Sequence, residues 1–159
     1  MLSVQANRGR ALEELLEIVF NGAGPGAKLF RQANRWVPLR GGKGAFPHRG
    51  SPVDFVGVIR GVPVAVEAKE TNSLRLPTNN SRFPLKEVLA LADFERAGGR
   101  AFVIAAFWKK ELLAVYTVET LLGAVGSRRS LRPEEADTVL PLEHVPDLPE
   151  RLGKMCRKA

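Results

Sequence analysis

The sequence has little cysteine and histidine and no long apolar run. Its 159 residues include one cysteine, Cys156, and two histidines. A single thiol cannot form an internal disulfide, and side chains this few and scattered do not make a zinc site. No stretch approaches the roughly 18 consecutive apolar residues of a membrane-spanning helix, and the N-terminus lacks the basic and then apolar pattern of a secretory signal. These absences predict a cytoplasmic protein with an inert cysteine and no membrane partner.

Acidic residues are also fewer than basic ones. The chain carries 17 of them against 24 lysines and arginines, which gives a net charge of +7. Such an excess is typical of proteins that bind a polyanion, most often nucleic acid. Basic residues clearly outnumber acidic ones within residues 1–53, so we expect a DNA contact surface there. Its candidate residues are Arg8, Arg10, Arg31, Arg35, Arg40, Lys43, Phe46 and Arg49. Phe46 is either an anchor onto the protein body or a wedge between DNA bases.

Apolar periodicity and turn residues predict one domain over residues 1–159. The predicted elements are a helix over 7–21, a strand over 27–32, a hairpin within 51–71, a helix over 84–97, strands over 101–108 and 112–118, and a helix over 117–124. Residues 37–52 are expected to form a projecting basic loop, and residues 126–159 a proline-rich basic C-terminal region with one short helix near 149–156. This order predicts an α/β fold in which helices flank a mixed β-sheet.

The hairpin segment "SPVDFVGVIRGVPVAVEAKET" spans residues 51–71 and carries charged side chains in an apolar setting. Arg60 and Gly61 suit a two-residue turn. That turn puts Asp54 opposite Glu67 as a pair without hydrogen bonds, the class with the closer side chains. Lys69 shares their face because side chains alternate along a strand.

Two carboxylates opposed across a sheet repel each other. Lys69 offsets one negative charge, whereas a divalent cation with hard oxygen ligands offsets both. The alternative is a solvent-exposed ion pair at a strand end. The apolar neighbours of Asp54 and Glu67 favour a functional site, because a carboxylate pair is costly to keep there.

The spacing of Asp54 from Glu67-Ala68-Lys69 resembles the motif of the PD-(D/E)xK nuclease superfamily. The segments "NRGRALE", "VDFVGVIRGVPVAVEAKET", "FPL" and "AGGRAFVIAAFW" follow one another as in RecU-type Holliday-junction resolvases. This resemblance implies a restriction-endonuclease-like core and a homodimeric endonuclease that nicks four-way DNA junctions symmetrically during recombination. It also implies Mg²⁺ as the cofactor, with Mn²⁺ as a substitute, and makes a recombinase a candidate partner.

The resemblance also implies roles for individual residues. Glu13 of "NRGRALE", Asp54 and Glu67 would be the metal ligands and, with Lys69, the catalytic set. Residues 37–52 would be a stalk that enters the junction centre. Either Arg31 or Arg35 would be the basic residue that the family places between the helix glutamate and the strand aspartate.

Two other functions remain open at this stage. One is a restriction or repair endonuclease that cuts linear duplex DNA. The absence of a separate sequence-reading domain in so short a chain disfavours it. The other is a non-catalytic junction-binding recombination accessory, which has no reason to retain Asp54, Glu67 and Lys69 together.

Overall fold

The structure is a computed structural model that describes residues 10–32, 34–38, 41–42, 44–49 and 52–157. For residues 34–38 and 45–49 it describes the backbone alone. In these ranges no helix is long and apolar enough to cross a membrane.

Within the described residues, eight strands and four α-helices build the fold. In chain order they are α1 (Arg10–Asn21), β1 (Ala27–Arg31), β2 (Asn34–Pro38), β3 (Ala45–Arg49), β4 (Phe55–Ile59), β5 (Val62–Thr71), α2 (Leu85–Arg96), β6 (Arg100–Phe107), β7 (Leu112–Thr117), α3 (Val118–Gly126), β8 (Thr138–Pro141) and α4 (Leu148–Arg157). Six strands form one sheet in the order β1-β4-β5-β6-β7-β8. Only β5 and β6 run parallel within it, so the predicted mixed sheet is confirmed.

The β4–β5 hairpin has the predicted turn and register. Ile59 pairs with Val62 and the ladder continues to Phe55 and Val66. Arg60 and Gly61 have φ values of 50° and 81°, as a type I′ turn requires. Gly57 lies on this hairpin where β1 approaches closely. A Cβ added there would be 1.9 Å from the carbonyl oxygen of Lys28.

The sheet separates two apolar cores, and alternation along β5 assigns its residues to them. Val64, Val66 and Ala68 face the core that α1 and α4 cover. Ala65 faces the other core, under α2 and α3. Glu67 and Lys69 continue the face of Ala65 because side chains alternate along a strand. The apolar alternation of β5 thus ends in charged residues on one face of the sheet.

The structure corrects two sequence predictions. Residues 37–52 are not a plain loop, since β2 and β3 pair antiparallel as a two-stranded sheet, with Asn34 opposite Arg49. The C-terminal region contains β8 as well as the predicted helix, and α4 buries Leu148 and Leu152 in the core. The single domain over residues 1–159 and the stalk-like role of 37–52 stay predictions.

Candidate active site

Asp54 is placed where β1, β4 and β5 meet. It lies immediately before β4, and its backbone carbonyl accepts a hydrogen bond of 2.7 Å from the amide of Gln32. Its carboxylate Oδ2 accepts another, of 2.8 Å, from the backbone amide of Ala68. The ladder of the hairpin ends at Phe55, the residue after Asp54, and the Asp54 carboxylate lies against the β5 backbone at Ala68. A backbone donor thereby fixes its direction.

Glu67 is a nearly completely buried carboxyl group, with 2% of its surface exposed. Burial raises its pKa well above the usual value, and the charge of Asp54 raises it further. Lys69 opposes the rise and Glu87 adds to it. The structure therefore brings Asp54 and Glu67 together, as the hairpin register predicts. The ionised form of Glu67 is costly here unless positive charge is supplied.

Lys69 supplies part of that positive charge. Its ammonium lies 3.6 Å from Oε1 of Glu67 and 3.3 Å from Oε2 of Glu87. It also lies 5.0 Å from the centre of the Phe83 ring, within the range of a cation–π contact. Glu87, on α2, is buried. We did not predict it from the sequence, because an acid in the first turn of a helix is ordinarily solvated there.

Glu13 approaches the same site from α1. Its carboxylate pairs with the guanidinium of Arg31, which also lies 3.4 Å from Glu17. Burial raises the pKa of Glu13, and so does the charge of Asp54, while Arg31 lowers it. Asp54 therefore acts electrostatically on both Glu13 and Glu67. Between the two alternatives for the basic residue, the structure puts Arg31 against Glu13. The side chain of Arg35 is outside what the structure describes.

Glu70 connects α1 to β5 and was also missed from the sequence. Its carboxylate accepts hydrogen bonds from Nε1 of Trp108, at 2.7 Å, and from the backbone amide of Leu12, at 3.2 Å. The guanidinium of Arg82 donates to the carbonyl oxygen of Glu70. Because Leu12 precedes Glu13, these bonds hold the start of α1 beside the strand that carries Glu67. No sequence spacing predicts such contacts.

The chemistry of these side chains fits a divalent cation, although the side chains are not gathered as a metal site. Among the described residues, no group of three or more acidic, histidine or cysteine side chains is arranged to hold a metal ion. Instead, Arg31 engages Glu13 and Lys69 engages Glu67. Carboxylate oxygens are nevertheless the ligands that Mg²⁺ takes from proteins. Burial and mutual charge also keep Glu13 and Glu67 hard to ionise without a cation.

The remaining candidate DNA contacts are only partly described. Arg10 is exposed and pairs with Glu14 at 3.1 Å. The residues Arg8, Arg40 and Lys43 lie outside the described ranges, and Arg35, Phe46 and Arg49 are placed by backbone alone on β2 and β3. Cys156 is buried, and burial raises the pKa of its thiol, which keeps the thiol protonated and unreactive.

Comparison with known proteins shows the family and the fold. The family model RecU, described as "Recombination protein U", matches residues 35–137, a range that includes Asp54, Glu67 and Lys69. Among solved structures, the chain is similar to Hjc, a Holliday junction resolvase from the archaeal hyperthermophile Archaeoglobus fulgidus. The TM-score is 0.57 at 20% identity, and the match covers 87% of this chain and 99% of that one. No curated protein matches the sequence.

The likeness to Hjc confirms the predicted α/β nuclease fold, and at this identity it shows the fold alone. The family model spans more than half of the chain and includes both strands of the hairpin that carries the carboxylates. The chain therefore belongs to the RecU family, as its motifs predicted.

Proposed function

We propose that this RecU-family chain is a structure-selective endonuclease that resolves four-way (Holliday) DNA junctions by paired symmetric cuts. The observation that carries this proposal is the match of the RecU family model over the segment that contains Asp54, Glu67 and Lys69. The shared fold of Hjc, itself a Holliday junction resolvase, supports it. The buried carboxylates beside Lys69 supply groups that phosphodiester hydrolysis needs.

We further propose that Glu13, Asp54 and Glu67 hold Mg²⁺, with Mn²⁺ as a substitute. A bound divalent ion would polarise the phosphoryl oxygen and lower the pKa of its water. The ligands would come from α1, from the residue before β4 and from the middle of β5. Glu13 can bind the metal once its ion pair with Arg31 is broken. The guanidinium of Arg31 would then bind a phosphate of the DNA substrate.

Lys69 has two roles in this proposal. Without metal, it keeps positive charge next to Glu67 and Glu87. With DNA bound, its ammonium orients the attacking water or steadies the charge that develops on the phosphate. Glu87 fixes the position of the ammonium from α2, and the ring of Phe83, which lies just before α2, limits the movement of the ammonium. The surroundings of Lys69 therefore direct its ammonium toward the buried carboxylates.

The active form would be a homodimer. One site cuts one strand, whereas resolution needs two cuts on opposed strands, and a two-fold dimer supplies two sites in matching symmetry. The β2–β3 sheet would enter the junction centre and select junctions over linear DNA. Such an enzyme would act on DNA in the cytoplasm, with a recombinase as a candidate partner.

A substrate comparison tests this function. Purified protein is incubated with a synthetic four-way junction and with linear duplex of the same sequence, each with Mg²⁺ and with EDTA, and the products are separated on denaturing gels. We expect Mg²⁺-dependent paired nicks in the junction and little cutting of the duplex. Equal cutting of both DNAs would favour a restriction or repair endonuclease, and binding without any cutting would favour a non-catalytic accessory.

A further inference from the structure

Two loops beside the active site run antiparallel to each other. The first, residues 72–84, follows β5, and the second, residues 127–132, follows α3. Leu76 and Leu131 exchange both backbone hydrogen bonds, each of 2.8 Å. The hydroxyl of Thr78 donates to the carbonyl oxygen of Arg129 at 2.7 Å, which extends the same register by two residues. The two loops are therefore held together along several residues.

Continued by one residue past the Leu76–Leu131 bridge, this register places Arg75 beside Arg132. A pair that exchanges two hydrogen bonds is followed by a pair without them, the class with the closer side chains. Leu76 and Leu131 are completely buried. Arg75 and Arg132 are both exposed, so their side chains are directed away from the core that holds the two leucines. Two positively charged side chains thus lie next to each other at the surface.

Glu134 is near enough to Arg132 to feel its charge, since a backbone hydrogen bond, Lys110 and then Arg132 lower the pKa of Glu134, but the two side chains do not pair directly. Across the described part of the chain, no carboxylate lies within 4.0 Å of either guanidinium. The closest acids in sequence have other partners, since Glu134 pairs with Lys110 at 3.1 Å and Glu135 pairs with Arg129. Opposed like charges destabilise such a pairing. An anion bound between the two guanidinium groups would remove that cost.

The first loop is also tied directly to the catalytic strand. Arg82 donates from this loop to the carbonyl oxygen of Glu70, the residue after Lys69. Phe83, near the end of the loop, contacts the ammonium of Lys69. Arg75 lies only six residues after Lys69 along the chain. The loop that carries Arg75 is therefore tied to the strand of Lys69 through two separate contacts.

We propose that Arg75 and Arg132 form a phosphate-binding pair that holds the backbone of one DNA arm next to the cleavage site. The proposal rests on the proposed function, since it assigns to that enzyme a contact surface outside residues 1–53. Arginine donates several hydrogen bonds in a fixed geometry that suits phosphate oxygens. Contacts to phosphates position DNA without reading its sequence. The pair would accordingly act on junctions of any sequence.

The salt dependence of binding tests the pair. Dissociation constants for a four-way junction and for linear duplex are measured in EDTA over a range of salt concentrations. Loss of two phosphate contacts should lower the slope of log Kd against the logarithm of the salt concentration by about 1.8. We expect this change for R75Q/R132Q, with about 30-fold weaker binding near 0.15 M salt. R75K/R132K should retain most of the affinity and most of the salt dependence because it keeps both positive charges.

R60Q/R96Q is the matched control. Arg60 lies in the β4–β5 turn and Arg96 at the end of α2, both exposed and at the other end of the sheet. This variant should bind DNA like the unmodified protein. If R75Q/R132Q keeps the unmodified affinity and slope on both DNAs, the pair does not bind phosphate, although junction cleavage by the unmodified protein would still support the proposed function. If the slope falls but that protein cuts no junction, the arginine pair stands and the function fails.

Discussion

Replacing Lys69 by methionine removes the cation that compensates the buried carboxylates while keeping a long side chain. The Lys69 ammonium lies within 3.6 Å of Glu67 and 3.3 Å of Glu87, and the exposed fractions of the three side chains are 15%, 2% and 11%. Removing one partner of a buried ion pair costs about 3–5 kcal/mol. Lys69 is slightly exposed, so we expect about 3 kcal/mol at pH 8. That loss corresponds to a decrease of roughly 6–12 °C in Tm.

The loss should depend on pH because Glu67 can take up a proton. Burial, the largest cause, and then Asp54 raise the pKa of Glu67 above its ordinary value of 4.5. When the pKa of a group is raised in the folded state, the stability linked to it is complete at pH values below the pKa in the unfolded chain. That stability is lost as pH rises through the pKa in the folded state. Near pH 4.5 Glu67 is therefore protonated and needs Lys69 least. The cost of K69M should be smallest there and should grow toward alkaline pH.

Urea unfolding in EDTA measures this cost, since EDTA removes any metal that would replace the ammonium. Lys110→Met is the matched control. Its partner Glu134 lies 3.1 Å away, but the exposed fractions of the two side chains are 34% and 65%, so solvent screens the pair and the loss should be much smaller than for K69M. Equal losses for the two variants, or a K69M loss that does not change with pH, would refute the electrostatic account of the site.

Three other predictions concern the sheet, the assembly and the β2–β3 segment. Gly57→Ala should cost about 3 kcal/mol in urea unfolding, because its Cβ would meet backbone atoms of β1 at 1.9 and 2.8 Å. A loss near zero would mean that β1 is not packed against β4 as described. Light scattering at micromolar protein should show a homodimer, and a monomer both with and without DNA would contradict the paired-cut proposal. Replacing residues 41–48, which include most of β3, by a short neutral linker should weaken junction binding much more than duplex binding. If the variant keeps the same preference for junctions over duplex DNA, the selectivity comes from another part of the protein.

The hairpin could be predicted from sequence because its turn and register are locally encoded. Arg60 and Gly61 suit a type I′ turn. Pro63 falls opposite Val58, at a position without a ladder hydrogen bond. A slip of the register by one residue would move every side chain of a strand to the other face. The approach of Asp54 to Glu67 follows from that register.

The surroundings of the site could not be predicted in the same way. Glu70 and Glu87 reach it through the packing of α1 and α2 on the sheet, and nothing in their local sequence distinguishes them from solvated acids. The β2–β3 pairing was missed because glycines and prolines indicate a loop. Pro47 is nevertheless tolerated in β3, since both strands of a two-stranded sheet are edges. The four residues of β8 bury only Leu140, too few for a recognisable period.

The central claim is that cleavage of the junction needs the carboxylates of Asp54 and Glu67, whereas binding of the junction does not. Junction cleavage with Mg²⁺ and junction binding in EDTA are measured for D54N and E67Q. The exposed residues Glu143 and Asp147 provide E143Q and D147N as chemically matched controls. We expect both site variants to cut at least about 100-fold more slowly, since metal assistance supplies several kcal/mol. Binding should be equal or tighter because repulsion toward phosphate is removed, and both controls should behave like the unmodified protein. Mg²⁺-dependent cutting at the unmodified rate by either site variant would contradict the account.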